Sequence, residues 1–200
     1  AITNSCNVFF YEVGYQLGLN GDKYDQDLGN EKLAKYADMY GLNEKSGIEI
    51  EESEPQISDA LSVVSAIGQG TNNFTTVGLA RYVTTVANSG TCYDLTLLDK
   101  VTDTSGNLLV NYSANVRNTI DMPQSYWNAI HQGMRGVVQN KKYYQDFGVE
   151  VAGKTGTAEE DKSRPNHGLF VGYAPYDNPE VSMAIRIANG YSSDYACQLS

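Results

Sequence analysis

A lysine followed by two hydroxyl residues that flank a glycine could relay a proton and bind an oxyanion. Lys154, Thr155, Gly156 and Thr157 are consecutive in this chain. The lysine supplies a cation or a proton relay, the threonine hydroxyls can stabilise an oxyanion, and the glycine leaves room for a substrate to approach the backbone. Lys154 is therefore a candidate catalytic residue, and Thr155, Gly156 and Thr157 are candidate substrate-binding residues.

The K-[ST]-G pattern occurs twice, and the surrounding sequence separates the two occurrences. Lys45-Ser46-Gly47 follows a predicted helix and has no second strand pattern close behind it, so it is interpreted as a turn. The match that begins at Lys154 lies at the end of a predicted strand and precedes two further strand patterns. A strand in that position can run alongside an extended substrate. Lys154 is therefore the candidate.

A hydroxyl and an amide two residues apart could relay a proton and hold a substrate amide. Ser5 and Asn7 have this spacing and open an apolar helix pattern. The same triplet occurs at Ser105-Gly106-Asn107 and at Ser113-Ala114-Asn115, and turn or cap roles are open to all three. Because only the first triplet opens an apolar helix, Ser5 and Asn7 are the catalytic candidates.

Helices and strands must position these residues, and the spacing of apolar residues along the chain changes from helical to strand-like. Helical spacing of apolar residues predicts helices over 6–17, 30–41, 58–67 and 75–88, and another opened by Pro123. Strand patterns around turn residues predict a hairpin of 95–101 and 107–112, and then close antiparallel neighbours at 149–155, 168–174 and 180–188. This order indicates one α+β domain over 1–200, with a helical part at about 1–140 and a sheet part at about 149–188.

Composition and charge exclude several kinds of function. The chain of 200 residues has a formal net charge of -10, which argues against nucleic acid as a partner. Its three cysteines are far apart and form no C-x-x-C pair, and only two histidines are present, so neither a disulfide framework nor a metal site or other cofactor is predicted. No apolar run approaches the roughly 18 residues that span a bilayer. The start at Ala1 shows no leader, so any export signal or anchor is expected outside this sequence.

Taken together, the motifs and the segments around them resemble the transpeptidase domain of class B penicillin-binding proteins. The triplet at Ser5 and the motif at Lys154 occur in the family's order. Further similar segments are Ile67-Gly68-Gln69-Gly70, Leu79-Ala80-Arg81, Gly133-Met134-Arg135-Gly136-Val137-Val138 and Phe170-Val171-Gly172-Tyr173-Ala174-Pro175. The resemblance implies the penicillin-binding protein and β-lactamase-like transpeptidase fold, an antiparallel sheet packed with helices.

The resemblance also implies an activity. In the family a serine attacks the penultimate D-Ala carbonyl of a peptidoglycan stem peptide, D-Ala leaves, and the acyl group passes to an amine of a neighbouring peptide. β-Lactams imitate that substrate. Carried over by position, Ser5 would relay protons, Asn7 would bind the substrate amide, and Lys154 would tune Ser5. Thr155 and Thr157 would bind the substrate carboxylate, and the backbone N–H of Thr157 would form half of an oxyanion hole.

One motif of the family is absent. No lysine in the chain has a serine three residues before it, so S-x-x-K does not occur. The resemblance places that motif upstream of Ser5 and a last helix beyond Ser200, so an incomplete domain is expected, inactive by itself. Because the helix that bears the nucleophile is central in the family, its absence is expected to expose apolar surface and to favour self-association. The parent protein is expected to be anchored at the outer face of the bacterial cytoplasmic membrane, in cell-wall synthesis complexes.

Two other classes of function stay open. The same groove could belong to a non-enzymatic sensor that binds a β-lactam or a peptidoglycan peptide, or the chain could be a structural protein of the cell envelope. The transpeptidase interpretation depends on one geometrical expectation. The loop that bears Ser5 and the strand over 154–157 must form opposite walls of one groove.

Overall fold

A computed structural model describes residues 1–200, which form an α+β fold. The helices are α1 (Asn7–Leu17), α2 (Gln26–Met39), α3 (Ser62–Ser65), α4 (Thr76–Ala87), α5 (Gln124–Gln139) and α6 (Ser193–Gln198), with a 3-10 helix at Lys142–Tyr144. The strands are β1 (Leu19–Asn20), β2 (Lys23–Tyr24), β3 (Thr91–Asp94), β4 (Lys100–Thr102), β5 (Leu108–Asn111), β6 (Asn115–Thr119), β7 (Ala152–Ala158), β8 (His167–Ala174) and β9 (Val181–Ile187).

The main sheet consists of β7, β8 and β9, in that order and antiparallel throughout. This pairing confirms the prediction for the last part of the chain. Lys154 lies opposite Val171, and Gly153 lies opposite Gly172. Because β8 is central, β7 is an edge strand whose outer side has no strand partner.

Helices cover both faces of this sheet. On one face α4 and α5 enclose a core cluster of Val83, Val86, Ala87, Met134, Ala152 and Tyr173. On the other face α6 packs over a second cluster of Val138, Val151, Phe170, Ala174, Ala196 and Cys197. Since side chains alternate across a strand, Lys154 lies in the same row as Ala152 and so on the face covered by α5.

Three small two-stranded sheets lie in the helical part, β1 with β2, β3 with β6, and β4 with β5. The predicted hairpin is present as β4 and β5, although both strands are shorter than the apolar pattern suggested. The pairing of β3 with β6 was not predicted. Its strands are separated in sequence by the whole hairpin, so no local pattern announces them.

Hydrogen bonds between side chains and the backbone explain why the predicted bounds of two helices were wrong. Helix α2 begins at Gln26 rather than residue 30, because an Asp25 carboxylate oxygen accepts hydrogen bonds from the backbone N–H groups of Asp27 and Leu28 at 3.0 and 3.2 Å. The helix predicted over 58–67 shrinks to α3. Ser58 is held in a loop instead, where its hydroxyl accepts from backbone N–H groups at 3.2 and 3.1 Å.

The strand that bears the lysine motif was also placed too early. Strand β7 runs from Ala152 to Ala158 and pairs with β8 along its whole length, so Lys154 to Thr157 lie within the strand and not at its end. Residues 149–151 precede the pairing, and the backbone oxygen of Glu150 bonds instead to the N–H of Tyr176 at 2.8 Å. Helix α6 was not predicted.

Candidate active site

Ser5 and Lys154 meet in the folded chain although 149 residues separate them. The Lys154 ammonium Nζ donates to the Ser5 hydroxyl at 2.5 Å and to its neighbour's carbonyl, Thr155 O, at 2.9 Å. Asn7 is the first residue of α1 and is exposed, and no hydrogen bond joins its side chain to β7. The structure therefore joins the two motifs through one direct contact, and the roles assigned to Ser5, Asn7, Lys154 and residues 155–157 stay predictions.

The backbone at Ser5 adopts an uncommon conformation. Its φ is +46°, in the left-handed region that residues other than glycine seldom occupy. The turn is closed by backbone hydrogen bonds from Ser5 N to Ile2 O at 3.1 Å and from Cys6 N to Ala1 O at 3.2 Å. Strain of this kind persists where surrounding contacts enforce it, and it concentrates at functional sites.

Helix α5 supplies those contacts. Gly133 and Gly136 lie on its surface against Ile2 and Thr3, and the Thr3 hydroxyl donates to Gly133 O at 3.1 Å. Sequence reasoning assigned these glycines no role. The G-x-x-G spacing, which places both on one helix face, was the signal that could have found them.

A methyl group at residue 136 tests this packing. In Gly136→Ala the new Cβ would lie 2.7 Å from Thr3 Oγ1 and 2.9 Å from Thr3 Cγ2, so the segment that bears Ser5 must shift. We expect a loss of about 1–3 kcal/mol in the free energy of unfolding, measured by urea denaturation, despite alanine's higher helix propensity. Gln139→Ala changes an exposed residue of the same helix and should be neutral. A stabilised Gly136→Ala protein would contradict the close contact.

The surroundings of Lys154 favour its neutral form. Partial burial is the larger cause and the positive charge of Lys141 the smaller one, and together they lower the pKa of the Lys154 ammonium below its ordinary value. Lys141 is itself paired with Asp194. A lysine with a lowered pKa beside a serine hydroxyl has the properties of a proton acceptor.

The rest of the motif is accessible. Thr155 and Gly156 are half-buried and Thr157 is exposed, and neither threonine hydroxyl has a hydrogen-bond partner in the chain. The Gln69 side-chain amide, from the loop after α3, donates to Thr157 O at 3.3 Å. An added Cβ at Gly156 would meet only Leu169, at 3.5 Å, so packing within the chain does not require glycine at this position.

The second K-[ST]-G match, at Lys45, forms local contacts away from Ser5, and the cysteines and possible metal ligands form no site. In the Lys45 match the Ser46 hydroxyl is buried and donates to Glu52 at 2.8 Å, and Lys45 pairs with Glu54 at 2.8 Å. All three cysteines are free thiols. No group of three or more His, Cys, Asp or Glu side chains is arranged to hold a metal ion.

Comparisons with known proteins identify the family of this chain. The model of the penicillin binding protein transpeptidase domain matches residues 1–198. Penicillin-binding protein 2B of Streptococcus pneumoniae strain R6 is 27% identical over 88% of this chain and 30% of its own length. The solved structure of that protein superposes with a TM-score of 0.80 at 25% identity, over 93% of this chain and 34% of that one.

Two further proteins extend the likeness. The peptidoglycan D,D-transpeptidase MrdA of Haemophilus influenzae is 28% identical over 98% of this chain and 34% of its own length. A chain in a structure titled as a peptidoglycan synthase complex has a TM-score of 0.79 at 26% identity, over 100% of this chain and 35% of that one. The chain thus spans about a third of the length of the relatives it matches. On these matches it belongs to the penicillin-binding protein transpeptidase domain family, in the class B branch.

Proposed function

We propose that this chain is part of a peptidoglycan D,D-transpeptidase that cross-links stem peptides by serine acyl transfer and that reacts with β-lactams. The observation that supports this most is the 2.5 Å contact between Lys154 Nζ and Ser5 Oγ, on an edge strand with free hydroxyls beyond it. The relative MrdA carries the name of this activity.

Each candidate residue has a role in the proposed reaction. Ser5 takes up the hydroxyl proton of the attacking serine and passes its own proton to the neutral Lys154 amine, and the Lys154 ammonium then returns a proton through Ser5 to the nitrogen of the group that leaves. Asn7 holds the substrate amide, and the hydroxyls of Thr155 and Thr157 bind the terminal carboxylate. The Thr157 N–H donates to the developing oxyanion.

The attacking serine must come from a segment outside these residues. Its Oγ forms an ester with the penultimate D-Ala carbonyl carbon, the peptide bond to the terminal D-Ala breaks, and the Ser5 relay protonates the amine that leaves. A second peptide's amine then attacks the ester and releases the serine. The chain without that segment is proposed to be inactive.

The outer edge of β7 has no strand partner and could pair with an extended substrate, although Thr155 O and Thr157 O accept hydrogen bonds from Lys154 and Gln69. Edge strands present unpaired N–H and C=O groups, which can pair with a peptide as an added strand. Gly156 lies on the same face as Lys154, two residues along, where a side chain would meet the substrate rather than the protein. This accounts for a glycine that the packing does not require.

Replacing Gly156 by alanine tests whether this glycine is needed for substrate binding and not for the stability of the fold. In Gly156→Ala the methyl group makes only ordinary contacts with Leu169, so the free energy of unfolding, measured by urea denaturation, should stay within about 0.5 kcal/mol of the original. In a longer version of the chain that includes the attacking serine, labelling by a fluorescent penicillin should fall about tenfold or more, because the methyl group occupies space that the substrate needs. Gly148→Ala is the comparison, because its Cβ meets no atom but its φ of +78° is strained, so it should lose stability and keep the labelling rate. Unchanged labelling of Gly156→Ala would contradict this role.

Self-association is a further proposal. Val8 and Phe9 of α1 are 76% and 51% exposed, beside the loop that bears Ser5. Large exposed apolar groups in one place favour association. We expect light scattering of the 200-residue chain to show dimers or larger species. A stable monomer that binds no apolar dye would contradict this.

The location of the parent protein is proposed from its relatives. No helix of this chain is both long and apolar enough to cross a membrane. The names of the relatives concern peptidoglycan synthesis, and one solved chain belongs to a synthase complex. We therefore place the parent at the outer face of the bacterial cytoplasmic membrane, anchored outside this chain and associated with cell-wall synthesis proteins.

A longer version of the chain, extended upstream, tests the proposed function. It should bind a fluorescent penicillin covalently and release D-Ala from a stem-peptide substrate. Labelling without any D-Ala release would favour the sensor alternative. A protein that shows neither would overturn the proposal.

A further inference from the structure

A polar cleft lies away from the Ser5 and Lys154 contact. It has a volume of about 370 Å³ and lies between the end of α4, the first turns of α5 and the connection from β8 to β9. Only two of its ten lining residues are hydrophobic. Pockets for apolar ligands are lined mainly by hydrophobic side chains, so this cleft suits a ligand rich in polar groups.

Side-chain amides on one face of α5 form the cleft's main wall. Gln124, Asn128 and Gln132 follow one another at intervals of four residues. The Gln124 amide donates to Asn128 Oδ1 at 3.0 Å, which leaves the Gln124 oxygen and the Asn128 amide group free. Gln132 has no side-chain partner in the chain. The wall therefore offers donors and acceptors side by side.

The aromatic and imidazole groups add to this pattern. His131 Nε2 lies 2.8 Å from Val86 O, which can only accept, so Nε2 donates this hydrogen bond and Nδ1 has no partner in the chain. Behind it the Tyr173 ring packs edge-on at 5.7 Å, and its fully buried hydroxyl has no hydrogen-bond partner. Tyr176 contributes an aromatic ring to the lining.

The charges of the lining narrow the class of ligand. No lysine or arginine lines the cleft, and Asp177 is its one charged residue. A phosphate, carboxylate or other anion would be repelled and would find no cation. Amides that both donate and accept match hydroxyl and acetamido groups, and an aromatic ring can pack on the apolar face of a sugar ring.

We infer that this cleft binds a neutral saccharide of the N-acetyl amino sugar class. The inference deepens the proposed function and rests on it for the choice of sugar, because peptidoglycan stem peptides are attached to amino sugars. Helix α5 connects the two places. Gln132 lines the cleft, and the next residue, Gly133, contacts Ile2 in the segment that bears Ser5. A glycan held in the cleft would lie on the helix that positions the candidate site.

Titration with tri-N-acetylchitotriose, followed by ¹H–¹⁵N NMR of the 200-residue chain, tests the inference. The side-chain amide signals of Asn128 and Gln132 should shift and saturate. The double variant Asn128→Ala with Gln132→Ala should bind about tenfold more weakly, because each loss removes hydrogen bonds worth a few-fold in affinity. Both residues are exposed, so the variant should keep its fold, and Gln139→Ala on the same helix should bind as the original does.

The outcomes separate this inference from the proposed function. Saturable shifts that the double variant weakens support the cleft, and Lys154→Ala should show them unchanged. If the saccharide causes no shift, while the longer protein is labelled by penicillin, the inference is overturned and the proposed function stays in place. Shifts of the same amides by a stem peptide without sugar, and none by the saccharide, would also overturn it. Sugar binding in a longer protein that penicillin does not label would support the cleft and count against the transpeptidase.

Discussion

Lys154→Ala is expected to reduce penicillin labelling and D-Ala release by the longer protein by about 10²–10⁴-fold, the range that general acid–base groups contribute. The Lys154 amine lies 2.5 Å from Ser5 Oγ and is the one side chain that bonds to this hydroxyl. Without it Ser5 has no proton acceptor. Rates of acylation by a fluorescent penicillin, measured at constant pH, give the comparison.

The pH profile shows whether the neutral amine is the active form. Because burial and then Lys141 lower the pKa of Lys154, the amine loses its proton at a lower pH than an ordinary lysine does. The labelling rate should therefore rise with pH through a pKa below the ordinary 10.5 and level off above it. Lys154→Arg stays charged over this range, and its rate should stay low without that rise.

An exposed lysine provides the control. Lys162 lies in the loop between β7 and β8 and has no side-chain partner, so Lys162→Ala should keep both the rate and the profile. Labelling of Lys154→Ala at the original rate would remove Lys154 from the proposed chemistry. A drop shared equally by Lys162→Ala would point to the overall charge of the region instead.

Local sequence patterns predicted those helices and strands that have clear apolar spacing and turn residues at their ends. Helix α1 and strand β9 lie within one residue of their predicted bounds, because apolar spacing and turn residues mark both. The misses have other causes. Asp25 starts α2 early through its side chain, and Ser58 forms hydrogen bonds to residues 13 and 14 positions away in place of the predicted helix.

The candidate site was predictable only in part. Residue types identified the motif at Lys154 and the triplet at Ser5, and the family resemblance placed them in one groove. Their contact spans 149 residues, which no local pattern can specify. The packing of Gly136 on Thr3, which holds the Ser5 segment, depends on the same long-range arrangement and was not predicted.

Arg81 is the buried charge whose removal should affect stability most, and its role was not apparent from the sequence. The side chain is 1% exposed within α4. Its Nη2 donates to the backbone oxygens of Gly41 and Glu44, the latter at 2.9 Å, and Nη1 lies 3.8 Å from the Glu44 carboxylate. The guanidinium thus holds the loop that follows α2 against α4.

Gly41 completes this arrangement. Its φ is +72°, and an added Cβ would lie 2.7 Å from Arg81 Nε, so the loop closes directly over the guanidinium. Arg81 Nε and Nη1 are nevertheless buried without hydrogen-bond partners. The charge is therefore only partly compensated, and its burial carries a desolvation cost.

Arg81→Ala should lower the free energy of unfolding by about 3–5 kcal/mol, because it leaves a cavity and removes the hydrogen bonds to the buried carbonyl oxygen of Gly41 and the partly buried one of Glu44. Arg81→Met fills most of the volume and removes the uncompensated charge, so it should cost clearly less than alanine does. Urea denaturation with an unchanged m-value measures both. Arg164→Ala, at an exposed arginine without side-chain partners, should keep a free energy of unfolding within about 0.5 kcal/mol of the original.

If Arg81→Ala were as stable as Arg164→Ala, Arg81 would not hold the loop. Equal losses for alanine and methionine would instead show that the hydrogen bonds to Gly41 and Glu44, and not the filled volume, stabilise this part of the fold.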